Sequence, residues 1–319
     1  MKHPEEMFFE GAKASQVIDL LKSRRRSAYQ CASLSDGYKL GLVLEGGAMR
    51  AVYSAAPIEV LTQLGLDRCF DAVYGTSAGA INAAYMLSGK MDCVLDVYKN
   101  SVSQNSLKRI FKWPTLFDLN WLFDVLLLGR FPIDIESILN HPLRFFISTT
   151  DVETGELVYH DNHSLNTVEN MVKVLRASSA SPMLTHQWEQ LNGRWFNDGN
   201  IHAGIPILKA IEDGCTHVVT VLTRERTYRR RPSKLMVALE QLRMRPYGKE
   251  YREAFFSGVE IYNQAMELVF SDHSPCANLV IAPPECEPLV SSRETSQMRL
   301  SEAWVRTKQR TSNLFESVQ

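Results

Sequence analysis

Residues 74–80 read Tyr-Gly-Thr-Ser-Ala-Gly-Ala, a serine with a glycine two residues away on either side. An apolar run of strand length, Asp-Ala-Val-Tyr at 71–74, leads in, and an apolar segment of helical length at 78–87 leads out. Ser77 therefore falls at a sharp strand-to-helix turn. Such a turn thrusts the hydroxyl outward and draws neighbouring backbone so close that side chains at 75 and 79 would collide, which suits Gly75 and Gly79. At a helix N-terminus, Ser77 would also have a dipole and free N–H groups that favour developing negative charge. The pattern G-x-S-x-G arises by chance in ordinary chains, so its meaning depends on what surrounds it.

Upstream, residues 38–44 (Tyr-Lys-Leu-Gly-Leu-Val-Leu) form a nearly continuous apolar run, the pattern of a buried parallel strand. It stops at Glu-Gly-Gly-Ala-Met-Arg, after which residues 51–64 carry apolar groups at helical spacing and Gly65 supplies a C-cap. Strand, glycine turn, helix, strand, Ser77 and helix make a β-α-β-α unit, which calls for a parallel sheet with right-handed crossover. The Gly46-Gly47 turn could cradle a phosphate or donate N–H groups to an oxyanion. A dinucleotide fingerprint needs G-x-G-x-x-G and a P-loop needs Gly-Lys-Ser/Thr, and this turn has neither. Consecutive parallel strands end on the same sheet edge, which brings Ser77 to the Gly47 and Ala48 amides and favours the oxyanion reading.

The rest of the chain supplies helices, strands and a base for the serine. The N-terminal residues 5–29 read as a peripheral helix closed by Arg24, Arg25 and Arg26 as a solvated basic terminus. Residues 91–139 form a helical insertion rich in aromatics, read as core in preference to a lipid-facing lid. Strands at 143–148 and 157–159 flank a tight connection, residues 166–176 look like a capped helix, and Ser178-Ser-Ala-Ser-Pro is small enough to run under a site. Further on come a helix at 204–213, the β-branched strand 217–222, a helix at 251–270, a strand at 278–282 and a terminal helix at 295–315. Candidate bases are aspartates, glutamates and histidines. His160, His163, His186, His202, His217 and His273 all follow Ser77, so a Ser-Asp-His order is compatible with the count. An α/β-hydrolase needs more sheet between its oxyanion loop and its elbow than one helix and one strand. His160-Asp-Asn-His163 lacks neighbouring ligands and reads as an exposed loop, not a metal pair.

Composition narrows the function classes. With 45% hydrophobic and 22% charged residues the chain is globular and can bury a sizeable core. A net charge of -1 gives no global pull toward nucleic acid, and six scattered cysteines without a C-x-x-C pair fit free thiols in a reducing cytoplasm. The polar, acidic N-terminus lacks the form of a signal peptide, and the longest apolar stretch is far below the roughly 20 residues of a membrane span. One local excess stands out: ten Lys or Arg against four acids between Arg224 and Glu253. It reads either as a solvated surface or as a contact for anionic head groups through Arg224 to Arg252. It lacks the interleaved aromatics of a nucleic-acid groove.

Three stretches in order, Gly46-Gly47-Ala48-Met49-Arg50-Ala51, Gly75-Thr-Ser77-Ala-Gly79 and Asp198-Gly199-Asn200, together resemble the motifs of the patatin-like phospholipases, especially their bacterial cytoplasmic branch. Those motifs are G-G-G-x-[RK]-G after the first strand, G-x-S-x-G one helix later, and D-G-[GA]. The resemblance covers residues 40–208, and residues 150–155 and 209–214 also look like the bacterial branch. It implies a three-layer α/β/α sandwich with a mostly parallel central sheet. It also implies a Ser-Asp dyad in place of a triad, with Ser77 as nucleophile and Asp198 as base. The backbone of Gly46, Gly47 and Ala48 would form the oxyanion hole, supported by Gly75, Gly79, Gly199 and Arg50, with Arg50 either pinning the loop or attracting a substrate phosphate. The activity implied is a lipid acyl hydrolase of phospholipase A or lysophospholipase type, acting on phospholipid or another acyl ester without cofactor or metal, in the cytoplasm or at the inner membrane surface. Expected divisions are an N-terminal helical extension (1–37), the catalytic core (38–210) and a C-terminal completion of the same domain (211–319).

Departures from the motifs set the rival readings. Ala48 and Ala51 replace glycines, and Asn200 replaces Gly or Ala. Ala48 keeps its N–H, so the donor survives if its φ is negative and is strained by roughly 1 kcal/mol or more if φ is positive. A weak or inactive family member that binds lipid or a protein partner is the alternative to the hydrolase. A malonyl-transfer type acyltransferase would need a histidine near the serine, and Asp198-Gly199 speaks against it.

Overall fold

A computed structural model of the chain describes residues 9–10, 13–29, 36–101, 118–185, 187–231, 234–285, 287 and 289–316. Among these residues nine strands form one sheet: β1 (Phe9–Glu10), β2 (Leu40–Leu44), β3 (Ala72–Thr76), β4 (Arg144–Asp151), β5 (Leu157–Asp161), β6 (Glu189–Leu191), β7 (Arg194–Asp198), β8 (His217–Val221) and β9 (Ala277–Ile281). The order is β1-β9-β8-β2-β3-β4-β7-β6, with β5 also pairing β4. Five central strands, β9-β8-β2-β3-β4, are parallel, and the margins are antiparallel. β2 is buried at every position, as its unbroken Leu-Gly-Leu-Val-Leu requires of a strand covered on both faces.

Helices cover both faces, giving the expected three layers. Leu40, Leu42 and Leu44 point to the face shared with α1 (Ala14–Tyr29), α2 (Val52–Gln63), α3 (Ala78–Leu87), α4 (Val94–Ser101), α5 (Ile135–Leu139) and α6 (Val168–Ser179). Val43, Ala72, Tyr74 and Phe146 point the other way, toward α7 (Ile207–Glu212) and, beyond α8 (Lys234–Arg243), the long α9 (Lys249–Phe270). The terminal α10 (Gln297–Phe315) returns to the first face, where Leu300, Trp304 and Phe315 are buried. Each fully buried leucine contributes roughly 1.5–3 kcal/mol, so this two-faced core is the main source of stability.

The margins of the sheet carry most of the site. β5 pairs residues 146–150 of β4 along one edge, so the other edge serves both β3, at residues 144–148, and β7, at residues 149–151. β3 climbs that edge in parallel and β7 descends it in antiparallel fashion. Their ends abut, with Thr76 opposite Ser148 and Asp198 opposite Thr149.

Two expectations need correction. The N-terminal segment is not one helix: Phe9–Glu10 is a strand on β9 and the helix begins at Ala14, because the free edge of β9 offers unpaired backbone groups that a short extended segment satisfies. Met7, Phe8 and Ala12 lie outside the described residues. Nor is Arg24 part of a solvated terminus. Its side chain is 1% exposed and donates to Asp36, to Asp71 Oδ2 at 2.6 Å, and to the carbonyls of Cys69 (2.7 Å) and Tyr38 (2.8 Å). Asp71 Oδ2 also accepts the N–H of Leu40, so one guanidinium ties α1 to the starts of β2 and β3. In the aromatic insertion, Tyr98 and Phe123 are buried, and Trp121 and Phe131 pack partly buried against the core; Phe111, Trp113 and Phe117 lie outside the described residues.

Replacing Arg24 by Met leaves Asp36 and Asp71 without their shared cation. The expected loss is at the lower end of the roughly 3–5 kcal/mol seen for broken buried pairs, since both carboxylates are partly solvated. Urea unfolding of the variant measures it, and a change below about 0.5 kcal/mol would contradict the anchoring role.

Candidate active site

Ser77 lies at the summit of β3, as N-cap of α3, with φ 54° and ψ −129°. A non-glycine residue in this region costs of order 1–3 kcal/mol and persists only where its surroundings over-determine it. They do so here. The Ser77 N–H donates to Ser178 Oγ at 2.9 Å, and its carbonyl accepts from the N–H groups of Ala80 (2.9 Å) and Ile81 (3.2 Å). A Cβ on Gly79 would meet the Leu44 carbonyl oxygen at 2.6 Å, so only glycine lets α3 start this close to the end of β2. Gly75 is similarly closed off by the Ala80 backbone.

Asp198 ends β7 and is 3% exposed. Its Oδ2 accepts from Ser77 Oγ at 3.1 Å and its Oδ1 from the Asn200 N–H at 2.9 Å. Its main chain is fixed by Thr150 Oγ1, which donates to its carbonyl, and by the Ala180 carbonyl, which accepts its N–H. Gly199 passes against Ser148 so tightly that a Cβ would stand 2.3 Å from Ser148 Oγ. Burial pushes the Asp198 carboxyl up to about 7, against the opposing pull of the Asn200 N–H, the Ser77 hydroxyl and the charge of Arg230. A carboxylate poised there can take a proton near neutral pH.

The Glu45–Arg50 turn runs alongside. A Cβ on Gly46 would meet Ser77 Cβ at 3.0 Å, so the turn touches the serine. The three amides expected to face an oxyanion are not equivalent. Gly46 N–H donates to the Gly204 carbonyl at 3.3 Å, whereas the N–H groups of Gly47 and Ala48 find no acceptor among the described residues. Ala48 has φ 49°, the strained alternative for an alanine at this position. Arg50 Nε donates to Thr223 Oγ1 at 3.3 Å, and that hydroxyl donates to the Gly46 carbonyl at 3.1 Å, so Arg50 is tied to the loop. Buried Glu45 accepts from the Thr223 N–H and from Tyr262 Oη at 2.8 Å.

The described histidines hydrogen-bond elsewhere or lie apart. His160 Nε2 pairs with Thr149 Oγ1 at 2.8 Å, His163 with the His141 carbonyl, and His202 with the Gly155 carbonyl, while His217 faces Thr216. None hydrogen-bonds Ser77 or Asp198, and His186 lies outside the described residues. Among the described residues no group of three or more His, Cys, Asp and Glu side chains could hold a metal ion. Several arginines of the basic segment serve the fold: Arg224 lies over Tyr228, Arg226 over Phe270 and Arg230 over Tyr262. Sequence reasoning passed over Ser178, Thr223, Glu45, Arg230 and Tyr262. Only the small-residue run at 178–182 carried a signal for any of them.

A strained serine at a strand-to-helix turn, with a buried carboxylate in hydrogen-bond contact and a glycine turn touching it, defines the class as an α/β protein with a serine–carboxylate site at the sheet edge. The family model described as Patatin-like phospholipase matches residues 42–211, a little over half of the chain, and the chain belongs to that family. The uncharacterised protein YjjU of Escherichia coli (strain K12) is 25% identical over 191 residues, covering 58% of this chain and 52% of YjjU. The chain thus spans about half the length of the curated relative it matches. VipD from Legionella pneumophila, known from a crystal structure, aligns over 88% of this chain and 67% of its own at 13% identity with a TM-score of 0.38.

The raised Asp198 carboxyl has a consequence for stability. Between pH 4 and 7 the unfolded aspartate ionises while the native one resists, so the native state holds more protons and stability falls as pH rises through that window. Asp198→Asn removes this contribution. Its melting temperature relative to wild type is expected to rise from pH 4 to pH 7 and to level off above, as calorimetry at several pH values can check. A difference that does not vary with pH would contradict the buried, reluctant carboxylate.

Proposed function

We propose that this protein is a serine acyl-ester hydrolase acting on phospholipid or lysophospholipid through a Ser77–Asp198 dyad. The observation that carries the reading is the 3.1 Å hydrogen bond from Ser77 Oγ to the buried Asp198 carboxylate. Ser77 Oγ attacks the ester carbonyl while its proton passes to Asp198 Oδ2. The tetrahedral oxyanion is received by the N–H groups of Gly47 and Ala48, each such donor being worth roughly 3–4 kcal/mol in a well-studied protease. As the intermediate collapses, Asp198 returns the proton to the departing alcohol and an acyl-enzyme remains. Water, deprotonated by Asp198, then attacks the acyl carbon, the fatty acid leaves, and the proton returns to Ser77.

A second reading is favoured by one observation, Ala48 at φ 49°: a family member of weak activity that binds lipid or a partner. Release of p-nitrophenol from short- and medium-chain esters separates the two. Wild type is expected to hydrolyse them, with Ser77→Ala and Asp198→Asn each reduced by about 10³-fold or more. Ala48→Gly should retain or raise the rate, and Ala48→Val, more strained at positive φ, should lower it by about tenfold or more. Activity undiminished in either dyad variant would sink the mechanism, and a wild type inactive on all chain lengths and lipids would favour the binding reading.

For location we propose a cytoplasmic protein that visits the inner membrane surface. No helix among the described residues is long and apolar enough to cross a membrane. In the segment from Arg224 to Arg252, Arg231, Arg245 and Arg252 are exposed and offer charge to anionic head groups. Reversing these three to Glu is expected to abolish co-sedimentation with phosphatidylglycerol vesicles at low salt. Equal binding to neutral vesicles, or no effect of the reversal, would count against the contact.

A further inference from the structure

Asn200 stands where the family pattern has glycine or alanine, and its side chain has a definite task. Its Oδ1 accepts from Arg230 Nη2 at 2.9 Å, while its N–H holds Asp198 Oδ1. Arg230 is fixed from other sides as well. Its guanidinium lies over the Tyr262 ring, 3.9 Å from the centroid, and its main chain is clamped to α9 by Asn263, whose Oδ1 accepts the Arg230 N–H at 2.8 Å and whose Nδ2 donates to its carbonyl at 3.1 Å. Tyr262 is anchored in turn on Glu45. The pair also closes on Gly204, where a Cβ would stand 2.7 Å from Asn200 Oδ1 and 3.0 Å from Arg230 Nη2. Two anchors on the side chain and two on the main chain spend conformational freedom that a solvated arginine keeps.

We propose that Arg230 is a positioning residue of the Ser77–Asp198 pair: Asn200 holds its positive charge beside the Asp198 carboxylate, favouring the ionised form that accepts the Ser77 proton. The inference rests on the dyad reading above and gives the Asn200 departure a purpose, since neither glycine nor alanine could supply the anchoring carbonyl. Burial disfavours the carboxylate, and the Arg230 charge opposes that effect. Glu45 reaches the surroundings of Arg230 through Tyr262, and three other titratable groups around the pair are shifted toward their neutral forms. Tyr251 of α9 is held neutral by burial, His160 of β5 is lowered to about 4, and His202 is lowered by burial. Glu240 of α8 shares the field of Arg230 and moderates it.

Carbon-13 NMR of aspartate-labelled protein, with the Asp198 carboxyl assigned by its loss in Asp198→Asn, tests this directly. Relative to wild type, the titration midpoint should rise by roughly half a unit to one unit in Arg230→Met, by less in Asn200→Ala, and return close to wild type in Arg230→Lys. The acid limb of kcat/KM for a p-nitrophenyl ester should move in step. A purely structural role for Arg230 would lower kcat at every pH and leave the midpoint in place. An unchanged midpoint in Arg230→Met, folded by near-ultraviolet circular dichroism, would overturn the proposal. If Arg230→Met does not fold, Asn200→Ala and Arg230→Lys decide by the same midpoint. Should wild type hydrolyse nothing, the hydrolase reading fails while the carboxyl titration still decides the role of Arg230.

Discussion

One edge of β4 is shared by two strands that run toward each other, and the site depends on that arrangement. β3 pairs residues 144–148 in parallel and β7 pairs residues 149–151 in antiparallel fashion, so Ser77 and Asp198 meet where the two ends abut. A strand is a stiff arm, and its ladder of hydrogen bonds fixes the position of its last residue against the neighbouring strand. Held by two such arms, the Asp198 carboxylate reaches the Ser77 hydroxyl directly, at 3.1 Å.

The same geometry explains the strain. Ser77 occupies a positive-φ conformation and Ala48 another, the latter two residues after Gly46, which closes on Ser77. Each costs free energy that the two-faced core underwrites. What the strain secures is direction: a hydroxyl at Ser77 turned to the Asp198 carboxylate, and two amides at Gly47 and Ala48 without acceptors among the described residues. Behind this surface lies a second layer of hydrogen-bonded polar groups. Glu45, Tyr262, Thr223 and Arg50 bond one another and the turn, and Asn200 links that layer through Arg230 to Asp198. Rigidity in this layer suits the proposed reaction, in which fixed dipoles meet a developing charge.

Much of this was legible in the amino-acid sequence because the parallel core announces itself locally. Apolar runs at residues 38–44 and 71–74, glycines where backbones nearly touch, and helical spacing after each turn all follow from short-range sterics and burial. Hence β2, β3, α2 and α3, the serine and the Gly46-Gly47 turn were readable from residues alone. The Asp198 stretch was weaker, since Asp-Gly is ordinarily a turn, and only the ordered resemblance of three motifs singled it out. Arg24 misled because a run of three arginines at a helix end looks solvated, while a long side chain can fold back to buried carboxylates that local sequence does not reveal.

The sequence by itself determined the parallel β-α-β-α unit, the elbow at Ser77 and the family, since each is written in patterns a few residues long. Tertiary structure alone decided how closely Asp198 approaches the serine, which amides find no acceptor among the described residues and which arginine is held behind Asn200. Gly46 N–H is spent on Gly204, and Arg230 on Asn200 and Tyr262, by contacts between residues distant in the chain. No local pattern encodes such pairings, because they are set by the strand order of the sheet and by the helices that close upon it.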